Sequence, residues 1–362
     1  MRKTTTGASG QTIGLDLGDR WSQICMLDEE GRILDETRVA TRPAALRAWF
    51  GKQPQSRVAL EVGTHSPWVS RLLEVCGHEV LTANARKLRF IFDNDSKSDR
   101  ADARLLARVA RLDPQLLSPI HHRSEQAQAD RSVLRSRDEL VRCRASLIGH
   151  VRGMVKSTGM RLPSSSTPGF VKRVSSEIPA SLQPALHPIL KAIEALTEQI
   201  RALERRVLEL ENKYPATGAL QQVSGVGSIT SLNYVLTIED PHRFRRSRAL
   251  GSYIGLRPRR DQSGARDPQL HITKAGDPLL RRHLVQSAQY ILGPFGPDSD
   301  LRRKGLEIAA RGGKASKNRA VVAVARQLAV LLHHLWVTGE VYEPLHNTMR
   351  RGAVQTVEAA HS

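Results

Sequence analysis

Asp99 and Asp102 stand three residues apart in "SKSDRADARLLARVARL" (96–112), at the head of an arginine-rich stretch. Leu105, Leu106, Val109 and Leu112 recur there at helical spacing, so the stretch reads as an amphipathic helix. Residues three apart on a helix are neighbours, roughly 5–6 Å between Cβ atoms. Two carboxylates that close repel each other unless something positive lies between them. Two further acids suit the same site. Asp16 is central in the apolar run "TIGLDLG", on the opposite face from Leu15 and Leu17, and Glu61 ends the run "VALEV". A lone acid in a strand ordinarily faces water, and the helical pair could simply face Arg100, Arg104 and Lys97. Two strand acids together with a helical pair make a more demanding set. Such oxygen donors can hold two Mg²⁺ ions about 4 Å apart, which would relieve the repulsion and clamp the attacking and leaving oxygens of a phosphodiester.

A second constellation lies in "ALGSYIGLRPRRDQSGARDPQLHITKAGDPLLRRHL" (249–284). Ser263 precedes Gly264 in a loop ringed by Arg257, Arg259, Arg260 and Arg266, with Lys274 and Arg281 following. A serine hydroxyl is a poor nucleophile unless it is activated or its transition state is strongly stabilised. Arginine forks match phosphate oxygens and could supply that stabilisation, while Gly264 lets backbone approach a phosphate. The plainer reading is a turn serine in a basic loop that contacts DNA, and the residues alone leave both open. Upstream, "LQQVSGVGSITSLNYVL" carries Gly225 and Gly227 in the apolar-Gly-apolar-Gly turn of a helix-hairpin-helix. Backbone N–H groups in that motif bind a phosphate without reading sequence.

Three kinds of element must position these groups. Residues 11–62 read as three strands in a meander, a short helix "PAALRAWFGK" and a strand "RVALEVG". The helix "SPWVSRLLEVCG" and the strand "HEVLTAN" lead into the Asp99 helix. This is the element order of the ribonuclease-H-like fold, in which the first and fourth strands lie side by side under a later helix. Residues 123–156 turn helical, with Leu134, Val141, Ile148, Val151 and Val155 in register, and "RLPSSSTPGF" is a loop. Ile189, Ile193, Leu196, Ile200, Leu203, Val207 and Leu210 then follow a 4-3-4-3-4-3 spacing, a heptad seam. That seam either packs on the 123–156 helix or joins two protomers. A third region starts near Tyr214-Pro215. The expected architecture is α/β plus α: a ribonuclease-H-like domain over 12–115, a helical coiled-coil region over 116–214, and a mainly helical domain over 215–345.

Charge narrows the partners. The chain has 55 Lys and Arg against 36 Asp and Glu, a net charge of +19. Residues 241–319 alone carry 18 Lys and Arg against six Asp and Glu. A solvated face rarely concentrates charge in this way, so the partner is a polyanion, nucleic acid before membrane. No uninterrupted apolar run approaches the ~20 residues of a membrane span. The longest, "AVVAVARQLAVLLHHLW", is broken by Arg326 and Gln327. The opening "MRKTTTGASGQ" lacks a signal peptide's apolar core and reads as a short disordered lead. Cys25, Cys76 and Cys143 are scattered, as suits a reducing cytosol rather than a zinc site or disulfides. Aromatics make up only 4% of the chain, which favours backbone and shape recognition over base stacking.

Taken in order, "GLDLG", "ALEVG", "KSDRADARLLA", "VSGVGSITS", "RFRRSRALGSYIGLRPRRDQSG", "HITKAGDPLLRRHL" and "RGGKASKNRAVVAVARQLAVLLHHLWVTGEVY" resemble the transposases of bacterial insertion sequences with a DEDD catalytic domain. That family comprises bridge-RNA-guided recombinases and is related to the Piv-type DNA invertases. The resemblance runs from about residue 12 to 340. It implies a RuvC-like domain whose DEDD acids are Asp16, Glu61, Asp99 and Asp102, holding Mg²⁺. It also implies a coiled-coil linker and a C-terminal transposase domain in which Ser263 is the nucleophile and forms a covalent phosphoserine bond to DNA. The implied partners are donor and target DNA, a structured non-coding guide RNA and further copies of the chain, in a dimer to tetramer of the bacterial cytoplasm and nucleoid. Three positions depart from the family's usual pattern: Gly18-Asp19 follows the first strand, Ser224 replaces a proline, and Thr273 stands where a serine is common. The last removes a rival to Ser263.

Two other readings remain. One is a metal-dependent nuclease or junction resolvase that uses water as nucleophile. The other is a sugar kinase or actin-like ATPase, since "IGLDLGDRWSQICMLDEEGRIL" is similar to the first phosphate hairpin of those enzymes. The ATPase reading lacks a second phosphate strand and an adenosine loop, and no Walker-type loop is present. A DNA-bridging protein without catalysis would gain nothing from four acids, which weaken phosphate binding.

Overall fold

The computed structural model describes residues 10–88, 98–264, 266, 268, 270–313 and 315–348. Most of the expected disordered lead, and Lys97 beside the helical acids, lie outside the described residues. The chain divides into two compact units, Met1–Arg123 and Ser124–Ser362. The long helices that the sequence sets apart as a middle region therefore share a unit with the C-terminal part.

The first unit is built on a five-stranded sheet. Its elements are β1 (Thr12–Leu17), β2 (Trp21–Leu27), β3 (Ile33–Ala40), α1 (Pro43–Phe50), β4 (Arg57–Glu61), α2 (Ser66–Val75), β5 (Glu79–Ala83), α3 (Ala85–Leu88) and α4 (Asp99–Leu112). The strand order is β3-β2-β1-β4-β5, with the first three antiparallel and β4 and β5 parallel to β1. Two-residue alternation sorts the side chains to opposite faces. Ile13, Leu15, Ile24, Met26, Val58 and Leu60 pack on α1 and α2 through Leu46, Phe50, Val69, Leu72 and Leu73. The other face offers Cys25, Leu27, Ala59 and Ala83 to Ala103, Leu106, Ala107, Val109 and Ala110 of α4. Small residues on both sides bring α4 down onto the sheet. A Cβ at Gly14 would overlap the carbonyl oxygen of Ala103 and stand 2.6 Å from the Ala107 nitrogen, so only glycine fits beneath the helix. This mixed α/β unit is consistent with the ribonuclease-H-like DEDD domain expected from the element order.

The second unit is helical: α5 (Glu125–Ser157), α6 (Phe170–Val174), α7 (Gln183–Glu211), α8 (Ala216–Gln221), α9 (Ser228–Ile238), α10 (Leu250–Tyr253), α11 (Pro278–Leu292), α12 (Asp300–Ala310) and α13 (Ser316–Thr338). The helices α5 and α7 form an antiparallel pair. Its rungs are Arg137 with Glu204, at 2.5 Å, and Arg144 Nη1 donating to Thr197 Oγ1 at 3.2 Å. The seam differs from the expected one. Ile193, Ile200, Val207 and Leu210 are buried, but Ile189, Leu196 and Leu203 are only half-buried. Leu186, Leu190 and Thr197 are buried in their place.

Every residue of α9 from Ser231 to Ile238 is buried, and its Tyr234 hydroxyl donates to the Ala329 carbonyl of α13 at 2.6 Å. By length and composition alone α13 is long and apolar enough to cross a membrane, although Arg326 and Gln327 interrupt its apolar run. Its Val324, Ala325, Leu328, Ala329 and Leu332 are fully buried among α9, α10 and α11, so here it is a core helix of the unit.

Candidate active site

Strand register brings Asp16 to Glu61. β1 and β4 pair in parallel, with Thr12 opposite Arg57 and Leu15 opposite Leu60. One step further sets Asp16 beside Glu61, at the carboxyl ends of the two strands. Both are half-buried. By alternation Asp16 shares the face of Gly14, the face that α4 crosses.

Asp99 and Asp102 occupy the first turn of α4, where Ser98 Oγ accepts from the Ala101 N–H at 3.2 Å as N-cap. Acids at a helix N-terminus are favoured by its dipole, a structural role that needs no catalysis. Two of the three cations expected to neutralise them, Arg100 and Arg104, are engaged elsewhere. Arg100 donates to Glu36 Oε2 at 2.6 Å, and Arg104 donates to both Glu36 oxygens. Neither Asp99 nor Asp102 forms an ion pair with a described residue. Hydrogen bonds from Arg104, then those from Arg100, hold the Glu36 carboxyl down at about 2 against the opposing effect of burial. Glu36 was not legible in the sequence, because one acid in an alternating strand gives no sign that two arginines from a distant helix will meet it.

Four carboxylates without sulfur or imidazole suit a hard divalent cation such as Mg²⁺. Register puts Asp16 and Glu61 at the ends of adjacent strands, and the other pair begins the helix that crosses that sheet face. The structure does not close the four into one cage: among the described residues no three His, Cys, Asp or Glu side chains converge as a ligand set.

Ser263 lies at the tip of an antiparallel arm. Pro258 pairs with Ile272, the Arg259 N–H donates to the His271 carbonyl at 2.9 Å, and the Thr273 N–H donates to Arg257. Ser263 and Arg266 exchange two backbone hydrogen bonds of 3.0 Å, which close the tip around Gly264 at φ +54°. Ser263 is exposed and its hydroxyl has no partner among the described residues. Arg257, Arg259, Arg260, Arg266 and Lys274 are exposed along the same arm.

The base of the arm is a clasp. Gly255 and Gly276 both have positive φ, +77° and +67°. A Cβ on either would overlap backbone of the opposite strand, at Ala275 or Tyr253. Arg281 seals the clasp by donating from Nη1 to the carbonyls of Ile254, at 2.9 Å, and Ala275, at 2.7 Å. Arg281 was expected among the anion contacts, and the structure gives it this bracing role. Gly225, at φ +87°, turns the chain between α8 and α9 and packs on Ser287 and Tyr290 of α11. Gly227 is the N-cap of α9 and has open space beside it.

Comparison with known proteins covers both units. Residues 13–160 match a family model of DEDD transposases of the IS110 type, and residues 218–300 match the transposase IS116/IS110/IS902 family. The chain is 26% identical over 342 residues to the transposase of insertion sequence element IS1111A from Coxiella burnetii, covering 91% of this chain and 90% of the relative. It is 27% identical over 342 residues to a probable family 20 transposase of Pseudomonas aeruginosa, covering 92% and 98%. A third relative, the transposase of IS1328 from Yersinia enterocolitica, is 28% identical over 286 residues, covering 76% and 82%.

Proposed function

The chain is a transposase of the IS110/IS116 family, a DNA recombinase, and from that premise we propose that it cuts and rejoins DNA through a covalent bond to Ser263 under the direction of a structured RNA. In this reading Asp16, Glu61, Asp99 and Asp102 hold divalent cations, with Mg²⁺ the natural fit to all-oxygen donors. When bound, the metal supplies charge neutralisation at the phosphate and at the leaving oxygen. The observation that carries the reading is the withdrawal of Arg100 and Arg104 to Glu36. Among the described residues it leaves the two acids on one helix turn without an ion pair, above a sheet face where Asp16 and Glu61 follow the register pair Leu15 and Leu60 on adjacent strands.

The Ser263 hydroxyl forms a bond to phosphorus as one phosphorus–deoxyribose oxygen bond breaks. The serine proton leaves, and the departing oxygen gains a proton. The phosphoserine bond conserves the energy of the broken linkage, so strands reseal without ATP. Arg257, Arg259, Arg260 and Arg266 orient the phosphate beside the serine, and Lys274 extends the same cationic surface. Gly225 and Gly227 shape a turn whose amides, with the start of α9, suit a backbone phosphate. Half-buried Leu196 and Leu203 on α7 support self-association, as a dimer or tetramer.

The test combines purified protein, the RNA that co-purifies with it, labelled element-end DNA and Mg²⁺. Labelled DNA should remain attached to the protein after denaturation, and the adduct should vanish in Ser263→Ala. Asp102→Asn should keep the fold and lose strand cleavage. Omitting the RNA tests guidance. Cut DNA without an adduct, unaffected at Ser263, would assign the chemistry to water.

A further inference from the structure

The chain has four tryptophans, and three are packed. Trp49 meets Phe50 edge-on with centroids 4.7 Å apart, Trp68 Nε1 donates to His65 Nδ1 at 3.1 Å, and Trp336 lies 6.4 Å from Tyr234. Trp21 is different. Half of its surface is exposed, and its indole N–H finds no partner among the described residues. The Arg38 guanidinium sits 4.9 Å over its ring centroid, and Arg38 forms no ion pair with a described acid. The two side chains therefore make a flat, cationic, water-facing surface.

Register fixes where that surface lies. Trp21 pairs with Ala40, Gln23 with both Arg38 and Asp16, and Cys25 with Glu36. Cys25 is buried against Ala103 and Ala107, so it marks the face crossed by α4. Two-residue alternation puts Gln23 and Trp21 on that same face. Trp21 and Arg38 thus flank Gln23, which stands next to Asp16. The most exposed tryptophan of the chain lies two strand positions from the residue that pairs with Asp16, on the same side of the sheet.

We propose that Trp21 and Arg38 form a shelf that holds one unpaired nucleobase of the strand presented to Asp16 and Glu61. The inference rests on the assignment of that face as the catalytic one. An indole stacks on the π-face of any base, which gives affinity without sequence preference, and the guanidinium complements the adjoining phosphate. In a duplex the faces of the bases are already stacked on their neighbours. The shelf is therefore usable only where a base has been displaced, which selects opened DNA over intact duplex. An enzyme that exchanges strands must open base pairs near the cut, so the preference and the chemistry belong together. The low aromatic content of the chain is compatible with one such contact, though not with a run of stacking platforms.

The experiment measures binding without divalent cations, so no cleavage step enters. The full-length protein is titrated with a duplex carrying a short unpaired stretch and with the same duplex fully paired. Wild type should prefer the opened duplex. Trp21→Ala should lose about ten-fold or more of that preference, and Trp21→Phe should retain most of it, with unchanged thermal unfolding in both. Bromodeoxyuridine in the unpaired stretch should crosslink to the peptide containing Trp21. An unchanged preference in Trp21→Ala, or a crosslink mapping elsewhere, overturns the shelf. So does a change in oligomeric state with the preference intact, which would assign the surface to a protein partner. Full cleavage by Asp102→Asn beside an intact Trp21 effect would instead remove the catalytic assignment and leave the shelf standing.

Discussion

Glu36 gathers Arg100 and Arg104 of α4 and holds both on β3, away from the two acids at the start of that helix. Its carboxyl is held at about 2, against 4.5 for an unperturbed glutamate. A value depressed by folding means that the contribution is complete above about pH 4.5 and is lost as the pH falls towards 2. Glu36→Gln should therefore lower the melting temperature at neutral pH and flatten its decline across that acid window, as followed by circular dichroism at a series of pH values. A decline as steep as wild type would show that other carboxylates govern acid unfolding. The same substitution removes the charged partner that Arg100 and Arg104 share. At this scale the sequence yields residue types and hides partners. The four acids and Ser263 stood out because few residues can do their chemistry. Glu36 and Trp21 did not, because each is defined by a group that only folding brings near. Arg281 looked like its basic neighbours until its guanidinium was found on two backbone carbonyls.

At the scale of elements, the strands and helices of the first unit follow directly from alternation and turn residues, and the five-stranded order repeats the expected meander and crossovers. The heptad stripe of α7 was harder. Counting apolar residues selects Ile189, Leu196 and Leu203, whereas the helix is rotated so that Thr197 and Glu204 meet Arg144 and Arg137. A polar residue can occupy a seam when the facing helix supplies its partner, and a one-helix pattern cannot reveal that. The seating of α4 on Gly14 gives the sharper prediction. Gly14→Ala forces the helix away from the sheet and should destabilise the first unit by about 1–3 kcal/mol, measured by urea unfolding. Strand cleavage should fall by more than the stability loss explains, since Asp99 and Asp102 ride on the displaced helix. Wild-type cleavage by a destabilised variant would separate the helix position from catalysis.

At the scale of the whole molecule, the net charge of +19 is unevenly placed, and the exposed arginines of the Ser263 arm carry a share of it. Binding that neutralises phosphates weakens with salt, with a log–log slope of about −0.9 per contact on duplex DNA. Each of Arg257→Gln, Arg259→Gln and Arg266→Gln should reduce that slope by about one, read by fluorescence anisotropy at several salt concentrations. Unchanged slopes would place the phosphate contacts off the arm. The composition foretold a polyanion-binding protein, but it could not foretell that part of this charge rides on a projecting ribbon pinned at its base. That pinning has a consequence for proteolysis. Arg259, Arg260 and Arg266 are exposed trypsin sites at or near the tip, beyond the Gly255–Gly276 clasp and the Arg281 bridge to Ile254 and Ala275. A chain nicked there should migrate as two fragments under denaturing conditions yet elute as one body in native buffer. The protection that bound DNA gives those three bonds would then report engagement of the arm in a protein that has performed no chemistry at all.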